Sequence, residues 1–201
     1  MFRTIVNNEV YTILIFLALA IIALAKLIAP QRFNNFLYVI GNSKYLKIYL
    51  KDQKFFDRFD AFLFCNLILS LSVFGCYYYK YTNNIVEIPV LFILKLTAII
   101  GTLILIKVLI ERLVASIFEI DTLINAYLFQ KITYKNYIGF VLTFINIIVL
   151  YSLKLSLNLI YGFVIFIVII NLSGLFTSFK THLTGSSFAS IFFIMWSMNC
   201  W

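Results

Sequence analysis

Residues 10–29 read VYTILIFLALAIIALAKLIA, twenty residues carrying a single charge, Lys26, before Pro30 closes the run. A hydrocarbon layer is about 30 Å thick, and at about 1.5 Å per residue a helix needs roughly 20 apolar residues to cross it. The stretch has that length. Its Ile, Leu and Ala surround the helix instead of lining one stripe, which predicts a span and not the inner face of a soluble bundle. Pro30 lacks the amide hydrogen a continuing helix requires, so the span should stop there.

The same reading extends outward along the chain. A second span is predicted over 60–79, running into the aromatic cluster Tyr77, Tyr78, Tyr79 and Tyr81, which suits a headgroup boundary. A third covers 88–112, with Pro89 in the first turn, where a missing donor does no harm. A fourth covers 137–153 and a fifth 157–179, while a sixth apolar stretch, 188–201, has fourteen residues and is too short to cross alone. Strict apolar–polar alternation, the mark of a barrel strand, is absent. The expected fold is all-α: a polytopic transmembrane helical bundle of five spans plus a short or incomplete sixth. It forms a single integral membrane domain over 1–201.

Composition closes off the other classes. Hydrophobic residues make up 63% of the chain and charged residues 12%, about half the roughly 25% of a soluble domain, too few to coat so large an apolar interior. Cys65, Cys76 and Cys200 form no CxxC pair, and His182 is the single histidine, so no zinc site is expected. Cys65 and Cys76 lie eleven residues apart in one span, roughly 16 Å along a helix and out of bridging reach. The first apolar run has no small-x-small cleavage pattern and reads as a retained span, not a cleaved signal peptide.

Lys and Arg collect on the side of a bilayer where insertion keeps them. With the spans above, twelve of the sixteen fall on one side, from Lys26 and Arg32 to Lys180; Arg3, Lys80 and Lys154 fall on the other, and Lys95 lies inside the third span. The expectation is an N-terminus outside the cytoplasm, in the periplasm, and a cytoplasmic first loop. The net charge of +8 then reflects topology and contact with anionic headgroups of membrane lipids, not nucleic acid.

Two cytoplasmic segments are longer than turns. Residues 30–59 interleave charges with aromatics, and Phe33, Phe36, Leu37 and Ile40 fall at helical spacing before Gly41-Asn42-Ser43. They read as two short helices lying in the interface. Residues 113–133 set Ile117, Ile120, Ile124, Tyr127, Leu128 and Ile132 on one stripe, with Asp121 and Asn125 neighbours at i and i+4. This reads as an amphipathic helix continuing from the third span along the membrane surface.

Charges at membrane depth are costly and are therefore the candidate functional groups: Lys95, Lys107, Glu111 and Arg112 in the third span, and Asp121 and Asn125 beyond it. Lys107 and Glu111 are placed to pair at i and i+4, and snorkelling to the interface accounts for the cations. Asn66, Asn146 and Asn171 read as interhelical hydrogen-bond partners. One histidine and scattered acids offer no general acid/base pair or catalytic triad. GxGxxG and GxxxxGK[ST] are absent, so no phosphate-bearing cofactor is expected, and no cofactor of any kind. Broken helices at matching places in two halves, as in transporters, are not visible.

Specific wording accompanies the periodicity. Ala25-Lys26, Pro30-Gln31-Arg32-Phe33, Asn42-Ser43-Lys44-Tyr45, Ile110-Glu111, Ile117-Phe118-Glu119-Ile120-Asp121, Gln130-Lys131, Tyr134-Lys135-Asn136 and Phe179-Lys180 together resemble the family called domain of unknown function 4271. It comprises multi-pass membrane proteins of Bacteroidota, and the resemblance covers most of residues 10–187. It implies an inner-membrane protein of a Gram-negative cell with no assigned reaction. The tail departs from the pattern. Members finish with a full last helix carrying an LCxxE-like phrase, and 188–201 lacks both the acid and the length, as a truncated end would.

The expectation for function is a non-enzymatic membrane component, a scaffold or assembly part of a cell-envelope system of the secretion kind with a membrane-protein partner. The alternative is a small transporter or lipid-handling protein using Lys95, Lys107 and Glu111. A membrane enzyme acting on lipid-linked substrates, with Asp121 and Asn125 as its best residues, ranks third.

Overall fold

The computed structural model describes residues 9–40, 44–49, 57–83, 85, 88–117, 121–151 and 157–182. Among them are seven helices: α1 (Glu9–Ile28), α2 (Pro30–Leu37), α3 (Lys44–Tyr49), α4 (Arg58–Thr82), α5 (Val90–Ile117), α6 (Asp121–Tyr151) and α7 (Leu157–His182). No described residue lies in a strand. Four helices are long and apolar enough to cross a membrane, over Glu9–Ile28, Arg58–Thr82, Val90–Val114 and Tyr127–Tyr151. In α7 the apolar stretch Leu159–Gly174 is shorter. The chain is a helical membrane bundle.

Helices α4 and α6 form its centre. Each packs on α1 and on α5, the two pack on each other, and α7 lies against α6. Because α5 reverses the chain between them, α4 and α6 run parallel, and their contacts keep a nearly constant offset: Asn136 meets Asp60, Thr143 meets Asn66 and Ser70, and Asn146 meets Ser70. Helix α1 runs the other way, so Tyr11 at its start stacks on Tyr77 near the end of α4, with ring centroids 4.8 Å apart. Helix α5 is peripheral. Leu91, Leu94, Leu103, Leu109 and Leu113 are all exposed along it, and an apolar face of that length is the surface hydrocarbon chains solvate.

Two segments differ from the reading of the sequence. Helices α2 and α3 occupy much of 30–59, yet Phe33 and Phe36 turn into the protein. Phe36 is 1% exposed and packs against Phe59, Tyr137 and Phe140 at 5.6 to 6.3 Å between ring centroids. Helix α2 caps one end of the bundle, because burying two phenylalanines among aromatic partners gains more than half-burying them at an interface. The second difference concerns 113–133. Instead of one surface helix continuing from the third span, α5 ends at Ile117 and α6 begins at Asp121, running without a break into the fourth span. Leu128, Phe129, Gln130, Thr133 and Tyr134 are buried, so this stretch is held by core packing. The expected sixth stretch, 188–201, lies outside the described residues.

Candidate functional site

The end of the bundle where α1, α5 and α7 finish and α4 and α6 begin gathers the charged side chains. Pro30 opens α2 at its first position, which places Arg32 over the start of α4. The guanidinium donates from Nη2 to Asp60 Oδ2 at 2.7 Å, from Nη1 to Asp57 Oδ2, and from Nε to the Tyr45 hydroxyl at 3.2 Å. Its carbon lies 4.8 Å from the ring centroid of Phe59 and 5.2 Å from that of Tyr49. Asp57 also caps α4, accepting from the Arg58 amide at 2.7 Å. One planar cation thus joins α2, α3 and α4, the kind of multidentate contact that a lysine cannot reproduce. Burial works against the Arg32 charge, but Asp60 foremost, then Tyr45 and Asp57, raise its pKa above the ordinary value. Burial pushes the Tyr45 hydroxyl up, against the opposing pull of Arg32.

A second ion pair ties α5 to α6. Lys131 donates to Glu111 Oε1, with side-chain exposures of 11% and 7%, and its ammonium lies 5.5 Å from the Tyr127 ring centroid. Lys107 and Lys135 stand close enough for their charges to act on Lys131. The pairing of Glu111 is therefore a tertiary one, across twenty residues of sequence. Of the residues singled out from the sequence, Lys107, Glu111 and Arg112 sit together at this end of α5 and are half-buried or buried. Lys95 is exposed on α5, far along the helix from Glu111, and Asn125 is exposed on α6. Asp121 is the first residue of α6.

Sequence reasoning passed over Arg32, Asp57, Asp60, Tyr45 and Lys131 as members of a site. Arg32 and Lys131 stand out in the sequence as topology signals and as family wording, and no period links either to its partner. Among the described residues no group of three or more His, Cys, Asp or Glu is placed to hold a metal ion.

Between α4 and α6 runs a buried polar seam. Ser70 Oγ and Thr143 Oγ1 are 2.7 Å apart, Thr143 Oγ1 is 3.0 Å from both Asn66 Oδ1 and the Gly139 carbonyl, and Asn146 Nδ2 donates to the Ser70 carbonyl at 2.9 Å. Nearer the charged end, Asn136 Nδ2 approaches the Asp60 carbonyl at 3.4 Å. Hydrogen bonds of this kind hold spans together where water is scarce.

The family described as Domain of unknown function (DUF4271) matches residues 11–196. No curated protein and no solved structure matches the chain.

Proposed function

Because the chain belongs to the DUF4271 family, whose description names no reaction, we propose that its role follows from how its charges are used: it is a non-enzymatic scaffold or assembly component of a cell-envelope system of the secretion kind. In this reading it sits in the inner membrane with its N-terminus in the periplasm, its basic end against anionic headgroups in the cytoplasmic leaflet, and a membrane-protein partner. The supporting observation is that Arg32 is engaged by Asp57 and Asp60, and Glu111 by Lys131, each joining helices to one another. Charges committed to one another in construction are poorly placed for acid–base work, which needs a group able to gain and lose a proton beside a substrate. The exposed apolar faces of α5 and α7 supply surface for lipid and partner.

Crosslinking in native membranes followed by purification tests this. A stoichiometric membrane-protein partner is expected. A protein that emerges alone from every detergent and crosslinker overturns it. Sidedness is tested separately, by labelling a tag at the amino end from outside intact spheroplasts; labelling only after lysis reverses the orientation.

One observation favours a second reading, a small transporter or lipid-handling protein. Glu111 is 6% exposed and its Oε2 has no hydrogen-bond partner, as a carboxylate facing a polar path would. Lys107→Gln and Glu111→Gln, singly and together, should then change solute flux in proteoliposomes. Flux equal to wild type in all three removes this reading, and Lys95, exposed on the outer face of α5, would not restore it.

A further inference from the structure

The three amides of the α4–α6 seam are almost wholly buried, Asn66 and Asn136 at 0% and Asn146 at 1% exposure. Each leaves one atom without a hydrogen-bond partner: Nδ2 of Asn66, Oδ1 of Asn136 and Oδ1 of Asn146. In a dry interior each orphan forfeits the hydrogen bond it would make in water, and buried polar groups in native proteins are paired with protein or with ordered water. These three lie on the two most closely packed spans, where no rotation of the helix carries them into lipid headgroups.

The orphans also say what would meet them. Two are acceptors and one is a donor. A metal cation satisfies only acceptors, and an anion satisfies only donors; both bring a charge that this seam of amides and hydroxyls does not balance. Water donates and accepts. The choice survives a turn of the Asn66 amide, since the Thr143 hydroxyl can donate to the Gly139 carbonyl at 3.0 Å instead, leaving Asn66 Oδ1 as the orphan. Water serves either atom.

We propose that the α4–α6 seam is an internal hydration site, with ordered water bound by Asn66, Ser70, Thr143 and Asn146 and, nearer the charged end, by Asn136. Along α4, Asn66 and Ser70 lie roughly 9 and 15 Å from Asp60, so this water sits well inside the hydrocarbon thickness. It joins two parallel spans through bridges as well as through direct contacts. The inference is independent of whether the protein has a partner or moves a solute.

The test uses the full chain, labelled with 15N-asparagine, in phospholipid vesicles, read by water-edited solid-state NMR. Cys65-Asn66 is the one Cys-Asn pair in the chain, so adding 13C to the cysteine and the asparagine identifies the Asn66 backbone amide and, along the residue's own carbons, its side-chain amide without substitution, and Asn146→Ser identifies Asn146 by loss of its signal. The Asn66 and Asn146 side-chain amides are expected to receive water magnetisation within milliseconds, as exposed Asn35 and Asn83 do. If Asn35 and Asn83 respond while Asn66 stays dark, the seam is dry and the proposal is overturned. Asn66 alone decides this should the Asn146 variant fail to fold.

Discussion

Gly139 on α6 sits so near Leu67 on α4 that a Cβ built on the glycine would lie 2.5 Å from the Leu67 Cα and 2.7 Å from its Cβ. Backbone meets backbone there, and only the absence of a side chain lets the two parallel spans approach. Close approach of this kind shortens the hydrogen bonds of the polar seam on either side and replaces the hydrophobic driving force that spans lack in lipid.

Gly139→Ala should therefore lower thermal stability in detergent, by roughly 1–3 kcal/mol for an overpacked contact that backbone atoms cannot relieve. Gly162→Ala is the control. Nothing lies within 4 Å of a Cβ at that position in α7, so the variant should match wild type or gain up to about 1 kcal/mol of helix propensity. Equal losses in both would sink the argument.

The Arg32 clamp should show unequal partners. Asp60 is 7% exposed at its side chain and Asp57 is 46% exposed. Asp60→Asn is expected to cost about 1–3 kcal/mol, because Arg32 keeps Asp57 and Tyr45 but loses its buried carboxylate, and Asp57→Asn about 1 kcal/mol or less, because it removes a half-exposed charge while asparagine still caps the helix. Denaturant unfolding of the purified protein measures both. Arg32→Lys should fall near Arg32→Ala, because a compact ammonium cannot span the three acceptors that the planar guanidinium meets from Nε, Nη1 and Nη2.

Glu111 and Lys131 should behave as a unit. Either Glu111→Leu or Lys131→Met leaves a buried charge unpaired, whereas the double variant leaves none. A double variant more stable than both singles is the expected result in thermal unfolding. Simple additivity would show that the pair contributes nothing as a pair.

Tyr45 predicts an alkaline limit. Its folded pKa is raised by burial, so the unfolded chain ionises first, and the stability this protonated phenol contributes is fully present below about pH 10 and is lost as pH rises toward the folded value. Stability should decline above pH ~10 and decline less in Tyr45→Phe. Identical pH profiles would remove Tyr45 as a cause.

Much of this protein was legible one residue at a time. Span length and all-round apolarity are local properties, so 10–29, 60–79 and 88–112 fall within α1, α4 and the region of α5 with only small shifts at the ends. The alternation of loops likewise puts Arg32, Arg58, Lys107, Lys131 and Lys135 at one end without any knowledge of packing. What periodicity could not supply was choice of partner. Glu111 is held by Lys131 from the neighbouring helix, a partner that no helical spacing names. Phe33 and Phe36 formed a stripe suited to a membrane surface, and the aromatic pocket of Phe59, Tyr137 and Phe140 took it inward. The apolar spans follow from the order of the residues because hydrophobicity acts on each stretch by itself. The parallel contact of α4 with α6, the clamp at Arg32 and the polar seam were decided only by the tertiary structure, because each depends on atoms brought within a few ångströms from stretches the chain keeps far apart.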